Sequence, residues 1–342
     1  MAKILALLLL LSATIEAFAQ QVEYDTVTVA TYNLLRFGGT SNSRLDELRL
    51  ILDEIRPDIL LIQEIASPEG YNLFQDSVAF MLDVPLVGTG FEPGIHQQDS
   101  YVAIYYNPSI YGLRNTSMIV DTPRVQLAAT LEHYESGDSI LVISAHWRAD
   151  DTPADEAMRE ENGIVGRRYL TEVLPVVSGI DNVIYGGDLN VYESDEPGYQ
   201  QIIKEGGNGG ILNDPIDRPG DWHNDVEFAE IHTQSTRTRQ FGGGANGGID
   251  DRFDQILLSG SLDSSFYGYI EGSYRTFGHS GEVFNDSINS PDNSTVTPAV
   301  AQALHDASDH LPVVLSLLYP RTLTGVREDE EGLEIDLVIG ED

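Results

Sequence analysis

The sequence predicts a single α/β domain. Short apolar runs typical of buried β-strands alternate with amphipathic helical stretches, which is the pattern of sheets covered by helices. The chain has 342 residues, of which 41% are hydrophobic, so it can form one large core or two small ones. No internal repeat and no linker divides its middle, which favours one domain. Cysteine is absent, so this core must stabilise the fold without disulfides.

The first 19 residues are predicted to be a secretory signal peptide. Lys3 supplies a positive charge, residues 4–11 are apolar, and Ala17-Phe18-Ala19 is a small-x-small cleavage site. The apolar run is too short to span a membrane, and no later stretch approaches the ~18 apolar residues that a span needs. We therefore expect a secreted or periplasmic protein without stable membrane insertion, with its folded domain at residues 22–319.

The charge balance is strongly acidic. The chain carries 55 Asp and Glu residues against 19 Lys and Arg, a formal net charge of −36. Such a surface repels polyanions at long range, which argues against a protein that coats nucleic acid non-specifically. It is compatible with an enzyme acting on phosphates, because bound divalent cations reverse the charge locally. Adaptation to a salty or extracellular medium is the simpler cause of the overall excess.

The first strands of the chain end in polar residues. Residues 27–32 alternate as a β-strand that ends at Asn33, and an amphipathic helix follows from Ser43 to Pro57. Residues 58–62 form a continuous apolar run, typical of a strand covered on both faces, and lead into Gln63-Glu64. A carboxylate directly after a buried strand packs poorly but is a good metal ligand. Glu64 is therefore a candidate site residue.

The middle of the chain continues this alternation. We expect a helix at residues 74–82, strands at residues 101–106, 126–131 and 139–144, and a helix at residues 153–174. The strand at 139–144 leads into His146. A lone histidine is usually a core or surface residue, and only its position at a strand end makes His146 a candidate.

Asp188 and Asn190 follow a short strand at residues 182–185 that Gly186-Gly187 ends abruptly. In extended backbone, residues two apart point to the same side, so the two side chains can act together. A carboxylate and a carboxamide at a strand end suit the binding of a hard cation or the positioning of a phosphate oxygen or a water. The alternative is a β-turn that uses both residues only for local hydrogen bonds.

Two further candidate positions lie at strand ends in the last third of the chain. Asp254 begins an apolar strand, and Asp309-His310 enters another. Each places ionisable groups where a strand begins, as a site at a sheet edge requires.

Long polar stretches surround these strands. Residues 206–248 are rich in Gly, Asn, Asp and Ser and are predicted to form a loop. Within it, Arg237 and Arg239 are either phosphate contacts or ordinary surface arginines. Residues 278–307 are predicted to form a second polar loop, and residues 320–342 an acidic end that is either a flexible tail or the stub of a lost C-terminal module.

Six short motifs in a fixed order, TYN, QE, SAHW, GGDLN, RFDQILLS and SDHLPVV, make the chain resemble the endonuclease/exonuclease/phosphatase superfamily. This superfamily includes pancreatic-type DNases, abasic-site endonucleases, sphingomyelinases and inositol-polyphosphate 5-phosphatases. The resemblance covers residues 27–318. It implies a four-layer α/β sandwich, in which two mixed β-sheets pack face to face with helices outside. It also implies that the polar strand ends converge at one end of the sandwich.

The resemblance implies roles for the metal- and water-binding residues. Glu64 matches the principal metal carboxylate, with Asn33 close by and Asp309 as a further metal or water contact. Oxygen ligands of this kind imply Mg²⁺ or Mn²⁺, or else Ca²⁺. Asp188 and Asn190 match the pair that orients the attacking water and the phosphate.

The resemblance also implies roles for the histidines. His310 matches the catalytic histidine, and Asp254 the carboxylate that fixes its tautomer and supports its positive charge. His146 matches a histidine of the DNase, sphingomyelinase and 5-phosphatase branches and points away from intracellular DNA repair. The implied reaction is in-line attack of water on a phosphoester, with the cation and His146 neutralising charge on the phosphate oxygens. Whether His310 is a general base or a cationic stabiliser stays open at this point.

The leading functional prediction is a secreted, metal-dependent nuclease. A secreted phosphatase or phospholipase C-like enzyme, acting on a sugar phosphate, an inositol phosphate or sphingomyelin, is the alternative. A non-catalytic binding module is disfavoured, because no position matched to the family is lost. We expect a monomer whose partner is a phosphate-ester substrate, with nucleic acid favoured over phospholipid or sugar phosphate.

Overall fold

A computed structural model describes residues 23–39, 44–91, 101–120, 122–177, 180–203, 212–263 and 268–321 of the chain. The predicted signal peptide and most of the predicted acidic tail lie outside the described residues. Among the helices in these ranges, none combines the length and the apolar character needed to cross a membrane.

The described residues alternate between strands and helices. Strands β1 to β13 occupy Glu23–Phe37, Ile59–Ile65, Val87–Gly88, Tyr101–Tyr106, Tyr111–Ile119, Gln126–His133, Ser139–His146, Val183–Asp188, Leu212–Asn213, Asp254–Ser259, Gly268–Tyr269, Arg275–Thr276 and Val313–Arg321. Helices α1 to α6 occupy Leu45–Ile55, Pro68–Ser77, Pro153–Arg168, Leu174–Val177, Pro197–Ile202 and Pro298–Ala307.

The strands form two mixed sheets. The first has the order β11-β13-β1-β2-β4-β3, with β12 paired to β13, and the second has the order β5-β6-β7-β8-β10-β9. In the first sheet β1 lies parallel to β2 and antiparallel to β13. In the second sheet β7 lies parallel to β8, and β8 antiparallel to β10. Parallel neighbours bring their carboxyl ends to the same edge, which determines where polar strand ends can meet.

Apolar side chains on alternate positions of each strand create the layers. Val27 and Val29 of β1 pack between the sheets, against residues such as Val142 of β7, whereas Tyr32 faces the outer helices α1, α2 and α6. The outer face of the second sheet packs on α3 and α5. Successive strand residues point to opposite faces, so both faces of each sheet are apolar. The expected four-layer α/β sandwich is confirmed.

With 15 residues, β1 is long enough to run along the sandwich. Glu23 at its start pairs with Arg321 at the end of β13, while Asn33 lies towards its other end. The two chain ends of the described domain are therefore neighbours, at the edge away from Asn33. β13 continues beyond the boundary that was predicted at residue 319.

Two predictions about helices need correction. The helix expected at residues 74–82 is α2, which begins at Pro68 because the Ser67 hydroxyl accepts a hydrogen bond from Gly70 N and proline suits the first helical position. α6 lies at the end of the stretch predicted to be a polar loop. Thr297 caps this helix, because its side chain accepts a hydrogen bond from Val300 N. The helix was missed in the sequence because the residues that precede it are polar.

Candidate active site

Polar side chains from both sheets meet at one edge of the sandwich. In the second sheet, the strand register brings three of these residues together. Asp188 at the end of β8 lies beside His146 of β7 and opposite Asp254 of β10. The first sheet contributes residues at the ends of β1 and β2 and before β13. All eight catalytic and metal candidates belong to this edge: Asn33, Glu64, His146, Asp188, Asn190, Asp254, Asp309 and His310.

Asn33 links the two sheets. Its Nδ2 donates to Asp188 Oδ2 at 2.9 Å and to Glu64 Oε1 at 3.3 Å. Its Oδ1 accepts from Leu35 N at 2.9 Å, so the amide is fixed on both sides. Asn33 is fully buried, and its hydrogen bonds hold two carboxylates of the site in fixed positions.

A bulge in β2 directs Glu64 into the site. The pairing of β2 with β4 shifts between Ile62 and Ile65, and Glu64 adopts a positive φ of 63°. Bulges re-aim side chains, and a left-handed conformation at a non-glycine residue is strain of a kind found at functional sites. Arg36 N donates to Glu64 Oε2 at 2.9 Å. Burial, followed by the nearby Asp309 carboxylate, raises the pKa of Glu64.

His310 and Asp254 form a buried pair in which His310 Nδ1 lies 2.7 Å from Asp254 Oδ2. Burial alone would lower the pKa of His310, but Asp254 and Asp188 raise it well above its usual value. The two carboxylates therefore favour the cationic form of His310. Gln234 Nε2 lies 2.5 Å from His310 Nε2. Because a cationic imidazole donates from Nε2, that charge state requires a rotated Gln234 amide whose oxygen takes this place.

Asp188 and His146 have shifted pKa values as well. Burial raises the pKa of the Asp188 carboxyl to about 7, against the opposing effect of His310. His146 Nε2 lies 3.5 Å from Asp188 Oδ2, yet burial and then Arg124 hold the pKa of His146 well below its usual value. Burial and Arg124 therefore favour the neutral form of the His146 imidazole. A neutral imidazole can still offer phosphate a hydrogen bond, and the neutralisation of phosphate charge by His146 stays a prediction.

The turn after β8 brings Asp188 and Asn190 together. Asn190 N donates to Asp188 Oδ1 at 3.1 Å, and Asn190 Nδ2 donates to Trp147 O at 3.3 Å. Gly187 has a φ of 143°, and a Cβ at this position would lie 1.8 Å from Ala145 O. Only glycine allows β7 and β8 to approach this closely. The local turn is therefore present, and it places both side chains at the edge where the other candidate residues lie. The catalytic role of the two residues stays a prediction.

Glu64 and Asp309 are neighbouring carboxylates that could hold a divalent cation. Asp309 Oδ2 accepts from Ala245 N at 2.6 Å, but its buried Oδ1 has no hydrogen-bond partner among the described residues. Two neighbouring carboxylates, one with a raised pKa, are stabilised by a cation between them.

A second acidic group, Asp188, Asp254 and His310, also has ligand atoms within 4.8 Å of one another. In this group, however, His310 Nδ1 and Asp254 Oδ2 already bind each other.

The structure gives Arg237 a role other than the predicted phosphate contact. Arg237 is 1% exposed, and its guanidinium donates to the carbonyl oxygens of Phe241, Gly243 and His305. A guanidinium occupied by backbone carbonyls has little left for a phosphate, so this prediction is corrected to a structural role. Arg239 is exposed, and its contact with phosphate stays a prediction.

Sequence reasoning missed Arg124, which lies just before β6. The buried Asn162 donates to Arg124 O at 2.8 Å, while the Arg124 guanidinium makes no hydrogen bond or ion pair with any residue in the described ranges. Its charge acts on Glu64, Asp188 and His146. It is a basic group at the site, and no motif in a single sequence marks it.

A cavity of about 390 Å³ adjoins the site. Gln234, which contacts His310, and Ala245, which contacts Asp309, both line it. Four carboxylates dominate its wall: Asp150, Asp151, Asp250 and Asp251. Burial raises the pKa of Asp251 to about 6, so this wall is predominantly negative at neutral pH.

Two facing sheets that share a histidine–aspartate pair and a group of carboxylates are a combination found in enzymes that hydrolyse phosphate esters. The model of the Endonuclease/Exonuclease/phosphatase family matches residues 30–310, and the chain belongs to this family. The family acts on phosphoric esters with divalent metals, and this chain is accordingly a hydrolase of phosphoric ester bonds. No curated protein matches the chain.

Several solved structures are similar in fold. A family protein from Bacteroides thetaiotaomicron has a TM-score of 0.55 at 17% identity, covering 87% of this chain and 96% of its own. The mannosyl-6-phosphatase Bt3783 of the same organism has a TM-score of 0.53 at 18% identity, covering 86% and 100%. TDP2 of D. rerio, complexed with a single-stranded DNA product, has a TM-score of 0.54 at 14% identity, covering 86% and 99%. Identities this low establish the fold and not the substrate.

Proposed function

We propose that this protein is a secreted, divalent-metal-dependent phosphoesterase that hydrolyses its substrate by in-line attack of water. The observation that carries the proposal is the pairing of Glu64 with Asp309, whose buried Oδ1 has no partner among the described residues. Such a carboxylate pair, beside the His310–Asp254 pair, suits a site for a cation and a phosphate together.

The metal site consists of Glu64 and Asp309, with Asn33 holding Glu64 in place. Mg²⁺ or Mn²⁺ is the expected ion and Ca²⁺ the next choice, because the donors are all oxygen atoms. When bound, the ion polarises a phosphoryl oxygen and stabilises the charge that develops in the transition state.

Four groups of the chain then act on the reacting atoms. Asp188, whose pKa of about 7 lies near neutrality, accepts a proton from the attacking water, which Asn190 helps to orient. His146 donates a hydrogen bond to a phosphate oxygen, and the cationic His310 stabilises negative charge. The raised pKa of His310 supports the role of cationic stabiliser over that of general base.

The charges around the site favour a small phosphate ester over the nucleic acid that the sequence placed first. The adjoining cavity carries four aspartates, among them Asp150 and Asp251. Carboxylates accept hydrogen bonds from hydroxyl groups and repel further phosphates. A hydroxyl-rich group such as that of a sugar phosphate fits this wall, whereas the next phosphates of a nucleic-acid strand are repelled by it.

Turnover of defined substrates tests this function. Purified protein is incubated with duplex DNA, sphingomyelin vesicles and glucose 6-phosphate, with Mg²⁺ or with EDTA. We expect hydrolysis with Mg²⁺ only, highest for the sugar phosphate. Glu64→Gln should lose at least about 100-fold in kcat/KM, whereas Glu69→Gln, on the exposed start of α2, should not change it. Full activity in EDTA would overturn the metal-dependent mechanism.

Export through a signal peptide is part of the proposal. The apolar run and the small residues at 17 and 19 suit cleavage after Ala19. Amino-terminal sequencing of protein recovered outside the cytoplasm should begin at Gln20. An uncleaved chain that is retained in the cytoplasm would contradict export.

A further inference from the structure

A glycine-rich loop, residues 241–245, packs directly against Asp309. The Ala245 N–H donates to Asp309 Oδ2 at 2.6 Å. The other oxygen of this buried carboxylate, Oδ1, has no partner among the described residues. The loop therefore determines which oxygen of Asp309 is left for a ligand, and in which direction it points.

Gly244 is the point of closest approach. A Cβ at Gly244 would lie 2.4 Å from Asp309 Oδ2 and 2.7 Å from Leu35 Cδ1. Distances this short force the carboxylate, the loop or both to move. Gly242, by contrast, would meet no atom within 4 Å. Both glycines have positive φ angles, 76° at Gly244 and 65° at Gly242, so they share a conformational requirement and differ in their contact with Asp309.

Buried hydrogen bonds anchor the loop. Arg237 Nη1 donates to Phe241 O at 2.7 Å and to Gly243 O at 3.1 Å, and Ser235 Oγ donates to Ala245 O at 3.0 Å. Arg237 Nε also donates to His305 O in the last turn of α6. Because α6 ends at Ala307, the same arginine anchors the loop and the helix end that leads into Asp309.

We propose that Gly244 and Ala245, at the end of this loop, are positioning residues for metal binding, which hold Asp309 Oδ2 so that Oδ1 is left for the cation. Gly244 permits the close approach and the Ala245 amide supplies the hydrogen bond. The inference rests on the proposed function, in which Asp309 helps to hold a divalent cation. Partners that orient a metal ligand contribute to affinity without touching the metal.

Binding of Mn²⁺ alone tests this role without reference to turnover. The dissociation constant of Mn²⁺ is measured on the purified protein by electron paramagnetic resonance of the free ion, for wild type, Gly244→Ala and Gly242→Ala. We expect Gly244→Ala to weaken binding about tenfold or more. Gly242→Ala carries the same left-handed strain but should bind Mn²⁺ as wild type does. Equal affinity of both variants would overturn the role of the loop.

A second variant keeps the test decisive if Gly244→Ala does not fold, as judged by circular dichroism. Ser235→Ala removes the hydrogen bond to Ala245 O and leaves the backbone unrestricted, and we expect a loss of about threefold in Mn²⁺ affinity. Unchanged affinity would overturn the inference. Wild-type protein that binds no Mn²⁺ would instead overturn the proposed metal-dependent function, which separates the two failures.

Discussion

The surroundings of His310 and His146 shift the pKa values of the two histidines in opposite directions. Asp254 and Asp188 raise the pKa of His310, whereas burial and Arg124 lower the pKa of His146. The cationic form is thus favoured for His310 and the neutral form for His146. The two histidines are not interchangeable in the mechanism, although both lie close to Asp188 Oδ2.

Asp254→Asn should shift the alkaline limb of the pH profile. Asp254 is the main group that raises the pKa of His310, so its neutralisation lowers that pKa. If cationic His310 stabilises charge, activity is lost as pH rises through the pKa of His310, and the variant loses activity at a lower pH than wild type. The measurement is kcat/KM between pH 6 and 10. A variant that gains activity on the acidic side would instead identify His310 as a general base.

Arg124→Ala should reduce kcat/KM by about 100-fold, because a cation whose charge acts on Asp188 and His146 is lost from the site. The guanidinium has no hydrogen-bond partner within the described ranges, so little stability is lost with it, and Tm should change by less than about 2 °C. Arg114→Ala is the control, since Arg114 lies on β5 in an exposed ion pair with Glu132. A loss of the same size in both variants would exclude a specific role for Arg124.

The turns at the ends of strands determine which side chains reach the site. Gly187 permits the close approach of β7 and β8, and the bulge at Glu64 turns a strand residue into the pocket. Both features depend on backbone conformations that most residues avoid.

Gly187→Ala should destabilise the domain by about 3 kcal/mol or more, since a methyl group would overlap Ala145 O. Gly247→Ala is the matched control, with a similar φ of 133° and no atom within 4 Å of the added Cβ. It should lose only about 1–2 kcal/mol from backbone strain. Urea denaturation of both variants measures the difference. Equal losses would show that φ alone, and not the contact with Ala145, requires glycine at position 187.

The strands and their polar ends were predictable, because apolar runs and the residues that follow them are local in the sequence. The start of α2 was misplaced because Ser67 and Pro68 act through capping, which no apolar period reveals. For Arg237 the sequence left a phosphate contact and an ordinary surface position open, and neither is found, because carbonyl partners such as His305 O are distant in the chain. Arg124 carries no local signal at all, since only folding brings it to the site.

The whole molecule combines a large negative charge with few basic residues. Of 19 basic residues, Arg44, Arg159, Arg237 and Arg252 are buried and bonded inside the fold. The other basic residues are far outnumbered by the 55 acidic residues, which disfavours binding of a polyanion and agrees with the acidic cavity beside the site.

Cleavage of duplex DNA, if any, should depend weakly on NaCl at fixed Mg²⁺. Salt weakens protein–DNA binding by competing with Lys and Arg for phosphates, and the slope of log rate against log [NaCl] reports their number. We expect a slope shallower than about −2, equivalent to two or fewer contacts. Hydrolysis of a small phosphate ester, measured in parallel, should respond even less. A slope near −5 for DNA would reveal a basic groove.

The pairing of Glu23 with Arg321 also decides how the molecule can be attached to something else. The strand between Glu23 and Asn33 extends for about 33 Å at ~3.3 Å per residue, so both ends of the domain emerge a full sandwich length from the reacting groups. If the domain is attached to a support through either end, the attachment point lies at the end of the sandwich opposite to the site. The domain can therefore be displayed on a surface or fused to a carrier, and its neighbouring ends can be joined in a circular permutant, without closing the route by which substrate enters.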